Sequence, residues 1–307
     1  MTNERNKFFA YLATRVDEKP LQAILACFVF SLLSLYRLPV LWISMVISAY
    51  SFYKNYTLTA FFQIGATLLP FLILSMPDFM SVLSILLIIP MCMIQSKFKS
   101  FNITLEIQII IAIFVIILLH ILFPNLKEWW TGQFSALYDA LLKDGMYTKE
   151  QVEAIVNTLS STSTGLITFS LVLNLFLVNF LSLAWIDTTL SKTEHIDDIL
   201  FLKLGIISPI MLILFSLQFF LVYNWTYDIA AFIGGVMIMY GFLIIMGIAW
   251  QVFQTHAWLL ITFFVLSFLM FTSFVMKYFM LLLAFTDYFA NWRTIFESRN
   301  QPNSKDK

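Results

Sequence analysis

The sequence has 307 residues, of which 60% are apolar and 12% are charged, and its 18 basic residues balance 18 acidic ones. A soluble domain has about 45–50% apolar and about 25% charged residues. This composition excludes an intrinsically disordered chain, and the absence of a basic excess argues against nucleic-acid binding. It predicts an all-α, polytopic integral membrane bundle, because backbone groups that face lipid must be satisfied within helices.

Charged residues and prolines divide the chain into apolar stretches of nearly spanning length, which predict about 8–10 membrane segments. The predicted segments are Pro20–Tyr36, Leu38–Tyr53, Thr57–Met76, Phe79–Ile94, Ile107–Phe123, Leu166–Trp185, Leu204–Val222, Ile229–Ala249 and Trp258–Phe285. The last stretch is too long for a straight helix through a core of ~30 Å, so we expect either a tilted helix or two short bent segments.

These segments give five regions along the chain. An N-terminal segment (1–19) precedes a first membrane half (20–124), and a polar segment (125–164) separates it from a second half (165–287) and a tail (288–307). Basic residues concentrate on one predicted side, which indicates cytoplasmic N- and C-termini and places 125–164 outside. If all nine predicted segments crossed the membrane once, the C-terminal tail would lie outside. Either the final stretch therefore crosses twice as two short halves, or Pro20–Tyr36 and Leu38–Tyr53 do not both cross.

The outer segment is predicted to form two amphipathic helices. Trp130, Phe134, Leu137, Tyr138 and Leu141 recur at helical spacing, and Lys143-Asp-Gly145 is predicted to end that helix. Thr148 followed by Gln151 is typical of a capping box that starts a second helix. Two interpretations stay open: helices lying in the membrane interface, or a lid over a pocket between the spans.

Polar side chains within the predicted spans are the candidate ligand-binding residues, because burying such groups in a bilayer is costly. They are Lys277, His120, Asn174, Asn179 and Gln218. We expect Lys277 to face the protein interior or a wet cavity, with snorkelling to the headgroups as the alternative. The asparagines and Gln218 either bond between helices or line a cavity. Glu106 is explained by its position in the first turn of a span, where it complements the helix dipole.

No sequence signature indicates an enzyme, a cofactor or a metal site. The chain lacks phosphate-loop, HExxH and GxSxG motifs, and Cys27 and Cys92 lie in apolar runs away from any Cys/His cluster. On the eighth predicted span, Ala230, Ala231, Gly234, Gly235 and Gly241 form a small-residue face that suits close helix packing, either within the chain or with a partner.

Both ends of the chain resemble a known family. Arg15 precedes the first predicted span and Leu21-Gln22-Ala23 lie at its start, and Asp287, followed six positions later by Arg293, closes the last one. This pattern resembles the YybS-like predicted membrane proteins of bacteria, which are similar to the substrate-capturing S components of energy-coupling-factor transporters. The resemblance marks Arg15, Gln22, Asp287 and Arg293 as signature residues. The chain has Tyr240-Gly241 where the family is expected to have Gln-Gly.

The resemblance implies a multi-pass protein of the bacterial inner membrane that binds a small molecule for transport, with membrane lipid and another membrane protein as partners. The alternative is a membrane scaffold that packs against another protein through its small-residue face. For Asp287 we expect a structural role, with a basic group from Arg15, Lys54, Lys97 or Lys99 compensating its charge at the end of a helix.

Overall fold

The computed structural model describes residues 14–36, 40–73, 79–190, 202–205, 207–221, 223–253, 261–263, 265–266, 269 and 273–292. Within these ranges the chain is all-helical, without strands, which confirms the predicted all-α class. In chain order the helices are α1 Pro20–Ser34, α2 Leu41–Tyr53, α3 Thr57–Ile73, α4 Phe79–Phe98, α5 Phe101–Leu122, α6 Leu126–Gln133, α7 Ser135–Asp144, α8 Lys149–Leu190, α9 Ile207–Phe220, α10 Asn224–Phe253 and α11 Phe274–Ala290.

Four of the described helices are long and apolar enough to cross a membrane. They are Met80–Phe98, Phe101–Leu122, Lys149–Asp187 and Asn224–Trp250. The helices α1, α2, α3 and α9 are apolar but shorter. Length and composition therefore support membrane-spanning helices, and the predicted number of about 8–10 segments requires that the short helices cross as well.

The chain divides into two compact units. Unit 1 comprises residues 1–105 and 171–202, and unit 2 comprises residues 106–170 and 203–307. Each unit combines residues from both predicted halves, because unit 1 includes residues 171–202 of the second half and unit 2 includes residues 106–124 of the first. The units therefore do not follow the order of the predicted halves.

Unit 1 packs α1, α2 and α3 together through small and polar side chains. Cys27 and Ser44 lie fully buried between α1 and α2, where the Ser44 hydroxyl donates to the Cys27 carbonyl at 3.0 Å. The Ser31 hydroxyl donates to the Thr67 carbonyl on α3. Small side chains allow helices to approach closely, and hydroxyls that bond to backbone carbonyls can be buried at little cost.

Helix α8 differs from the prediction, which placed an amphipathic helix up to residue 164 and a separate span from Leu166. The structure has one helix of 42 residues. Residues 160–164 are serine and threonine, and the hydroxyls of the first four donate to carbonyls one turn earlier, for example Ser160 to Val156 at 2.7 Å and Ser163 to Leu159 at 2.6 Å. Since these hydroxyls are satisfied by the helix itself, a polar stretch does not end it.

The start of α8 is as predicted. The Thr148 amide donates to the Gln151 side-chain oxygen at 2.9 Å, and the Gln151 amide donates to the Thr148 hydroxyl at 3.3 Å. These reciprocal bonds confirm the capping box. Gly145 ends α7 with φ +70°, in the left-handed region where glycine is favoured.

The apolar stretch Trp258–Phe285 is not one straight helix. Ser273 has an extended backbone and caps α11, which begins at Phe274, by accepting from the Met276 amide at 3.4 Å. Of the two expected forms, the structure has the interrupted one. The predicted cytoplasmic tail (288–307) lies outside the described residues beyond Trp292.

The small-residue face of α10 packs within unit 2. A methyl group on Gly241 would overlap the backbone of Met280 in α11, and one on Gly235 would lie 2.6 Å from the Phe169 ring in α8. These two glycines therefore allow α8 and α11 to approach α10 inside the chain.

Candidate functional site

A buried pair of ionisable side chains joins α5 and α10 in unit 2. His120 Nε2 lies 2.8 Å from Asp228 Oδ2, and the two side chains are 11% and 3% exposed. His120 lies in the last turn of α5 and Asp228 lies near the start of α10. A basic group in the last turn of a helix complements the helix dipole, whereas Asp228 lies just beyond the first turn of α10, so its hydrogen bonds account for its burial.

The second oxygen of Asp228 binds α8. The Gly165 amide donates to Asp228 Oδ1 at 2.7 Å. A methyl group on Gly165 would overlap the carbonyl oxygen of Asp228, so only glycine allows this approach. Asp228 thereby connects α5, α8 and α10 at a single buried point.

Trp130 extends this arrangement to α6. Its indole N–H donates to the Thr164 hydroxyl at 2.9 Å, one residue before Gly165. We name His120, Trp130, Thr164, Gly165 and Asp228 the His120 cluster. It joins the end of α5, the start of α10, the middle of α8 and the first helix of the predicted outer segment.

The chemistry of the cluster follows from its hydrogen bonds. A carboxylate accepts only, so His120 Nε2 donates to Asp228 and both Asp228 oxygens are satisfied. No hydrogen bond to His120 Nδ1 occurs among the described residues. A buried aspartate that fixes an imidazole leaves the other ring nitrogen oriented for contact with a further group. The pair is therefore suited to hold a polar group of a ligand at Nδ1.

The other ligand-binding candidates do not join this cluster. Asn179 is buried in unit 1, where it accepts from the Tyr53 hydroxyl at 2.6 Å and donates to Gln95 at 3.3 Å. Asn174 has a buried side-chain oxygen that accepts no hydrogen bond from the described residues. Gln218 is partly buried on α9. Asn179 thus bonds between helices, one of the two roles predicted for it.

Lys277 is exposed on α11. Its side chain is therefore not packed in the protein interior, and the wet cavity stays a prediction. A long side chain at an exposed position can carry its ammonium group to the headgroup region, which is the snorkelling alternative.

The signature residues have different environments. Asp287 is buried and accepts from the Tyr240 hydroxyl at 2.8 Å and from the Trp292 amide at 2.9 Å. Asp287 lies near the C-terminus of α11, where the helix dipole disfavours a negative charge. The Trp292 amide lies beyond the end of this helix and donates to the carboxylate, which offsets that unfavourable interaction. Asp287 thus ties α11 to α10. A basic partner from Arg15, Lys54, Lys97 or Lys99 would come from unit 1 and stays a prediction.

The other signature residues that the structure describes lie at the protein surface. Arg15 and Gln22 are exposed near the start of the described chain, and Arg293 lies outside the described residues. Glu106 accepts from the Gly205 amide at 2.8 Å. It therefore anchors the segment before α9, a role that the dipole argument did not predict.

Sequence analysis missed Asp228 and Gly165. Asp228 falls directly before the predicted span Ile229–Ala249, and Gly165 falls between the predicted outer segment (125–164) and the predicted span Leu166–Trp185. Two features of the sequence could have indicated them: Asp228 directly precedes an apolar run, and Gly165 directly follows a stretch of serine and threonine. Within the described part of the chain, no group of three or more His, Cys, Asp or Glu residues could hold a metal ion.

Comparisons with protein families, curated proteins and solved structures found no match. The YybS-like resemblance therefore rests on the residues quoted above, and what it implies about function is a proposal.

Proposed function

We propose that this chain is a multi-pass protein of the bacterial inner membrane that binds a small molecule as a subunit of a transport system. Four long apolar helices and a largely apolar exposed surface support the membrane location. The basic-residue asymmetry supports cytoplasmic termini and an outer 125–164 segment.

The buried His120–Asp228 pair is the observation that carries ligand binding. Ionisable groups buried among membrane helices are costly and usually belong to a substrate or ion path. The cluster sits directly beside the first helix of the proposed outer segment, where a ligand from outside would arrive. His120 Nδ1 is the atom that we assign to ligand contact.

The scaffold alternative needs another surface. Gly235 and Gly241, on which it relied, already pack against Phe169 and Met280 within unit 2. A scaffold would have to dock through the exposed apolar side chains instead, which lipid covers equally well.

The ligand can be sought in the purified protein. We expect the wild-type chain, isolated in lipid nanodiscs and extracted for mass spectrometry, to retain one compound at a fixed ratio to protein. His120→Gln keeps a donor for Asp228 but loses the imidazole, so binding should weaken about ten-fold or more, as for one lost hydrogen bond to a charged group.

Glu106→Gln is the matched control, because it lies about 21 Å away along α5 and should retain the compound. Thermal unfolding of both variants is measured in parallel to separate binding from folding. Equal retention by His120→Gln and wild type, or no retained compound at all, would contradict the binding proposal.

The orientation is tested by cysteine labelling. Lys143 and Lys99 are both exposed, whereas the native Cys27 and Cys92 are fully buried and give little background. In intact spheroplasts, an impermeant thiol reagent should label Lys143→Cys and leave Lys99→Cys unlabelled until the membrane is permeabilised. The reverse pattern would overturn the orientation.

A further inference from the structure

The helices α6 and α7 contain no buried residue. Trp130, Phe134, Tyr138 and Leu141 form a partly buried stripe, and Trp129, Leu137 and Leu142 are exposed. A lid closed over a pocket would bury its apolar face against the protein. Here the stripe is only partly buried and three neighbouring apolar side chains are exposed, so Trp129, Leu137 and Leu142 need another cover.

The exposed apolar surface of α5 continues into this segment. Ile121, Leu122 and Phe123 at the end of α5 are each more than half exposed, and Trp129 follows them at 54% exposure. The Trp129 and Trp130 rings lie 4.6 Å apart, and Trp130 is fixed to Thr164 on α8. The Trp129–Trp130 pair therefore lies next to the end of the exposed apolar surface of α5.

A second aromatic pair flanks the start of α10, close to Asp228 in sequence. The Tyr223 and Trp225 rings stack at 6.2 Å, and Tyr223 is exposed. Since Asp228 pairs with His120, both aromatic pairs lie near the same end of unit 2. Tryptophan and tyrosine are enriched at the boundary between the hydrocarbon core and water.

We propose that α6 and α7 lie in the outer interface of the lipid bilayer, with Leu137 and Trp129 among the acyl chains and Asp139 facing water. Residues 125–147 carry two basic and three acidic side chains, so anionic headgroups contribute little and apolar insertion provides the attachment. This inference rests on the proposed membrane location and identifies lipid as the partner of this surface.

Spin labels on single introduced cysteines test it, in vesicles of phosphatidylethanolamine and phosphatidylglycerol. Collisions with oxygen report lipid exposure, and collisions with a water-soluble nickel chelate report water exposure. We expect the oxygen-to-nickel ratio at Leu137→Cys to be several-fold higher than at Asp139→Cys. Replacing phosphatidylglycerol by phosphatidylcholine should leave this difference unchanged, because the segment carries almost no net charge.

Phe114→Cys, on the exposed face of α5, is the reference for the spanning region. A nickel-accessible label at Phe114 would refute the membrane location itself. A lipid-exposed label at Phe114 with a water-exposed label at Leu137 would overturn only the interfacial position. A Leu137 label shielded from both reagents would overturn it in favour of a closed lid.

Discussion

Replacing Gly165 by alanine is expected to destabilise the protein by about 3 kcal/mol, near the upper end for overpacking of a tight interior. The added methyl group would overlap the Asp228 carbonyl oxygen, which belongs to the backbone of α10 and cannot rotate away. Helices α8 and α10 must therefore separate, which also lengthens the bond from the Gly165 amide to Asp228. The measurement is the thermal unfolding midpoint in detergent, followed by tryptophan fluorescence.

Gly65→Ala is the matched control, since it is also a glycine inside an apolar helix. A methyl group there meets no atom within 4 Å, so the better helix propensity of alanine should leave stability unchanged or raise it by about 0.5–1 kcal/mol. If Gly165→Ala unfolded at the wild-type temperature, the close contact between α8 and Asp228 would be refuted.

Replacing Asp228 by alanine is expected to cost about 3–5 kcal/mol, the range for a buried pair that loses one partner. Two donors then lose their acceptor at once, namely His120 Nε2 and the Gly165 amide. Asp228→Asn should cost less, because its side-chain oxygen can still accept from Gly165. Thermal unfolding in detergent measures which of the two variants is less stable.

A double-mutant cycle isolates the pair from the rest of the cluster. His120→Leu combined with Asp228→Leu should cost less than the sum of the two single replacements, because neither polar partner is left stranded. Additive costs would show that His120 and Asp228 do not interact energetically, and the candidate site would lose its basis.

Sequence analysis predicted most helices because charged residues and prolines mark their ends. The capping box at Thr148 was predictable for a similar reason, since its bonds connect neighbours along the chain. The unbroken α8 was not, because its Ser/Thr stretch has loop-like composition and becomes helical through bonds to its own carbonyls.

Only one residue of the buried pair in the candidate site could be predicted from the sequence. His120 stood out as a histidine in an apolar helix, but its partner lies 108 positions away in sequence. No local pattern encodes that pairing, which depends on how α5, α8 and α10 pack. Similarly, sequence analysis did not predict that Asp287 accepts from the Tyr240 hydroxyl and from the Trp292 amide, and its basic partner stays a prediction.

The first two helices of unit 1 have a consequence for the surrounding lipid. They contain 15 and 13 residues. At ~1.5 Å per residue they are about 20–23 Å long, shorter than a hydrocarbon core of ~30 Å. Embedded in a bilayer, these helices create hydrophobic mismatch, which the lipid relieves by thinning around them. Unit 1 should therefore prefer short acyl chains, and bilayer thickness becomes a determinant of where in a membrane this protein resides.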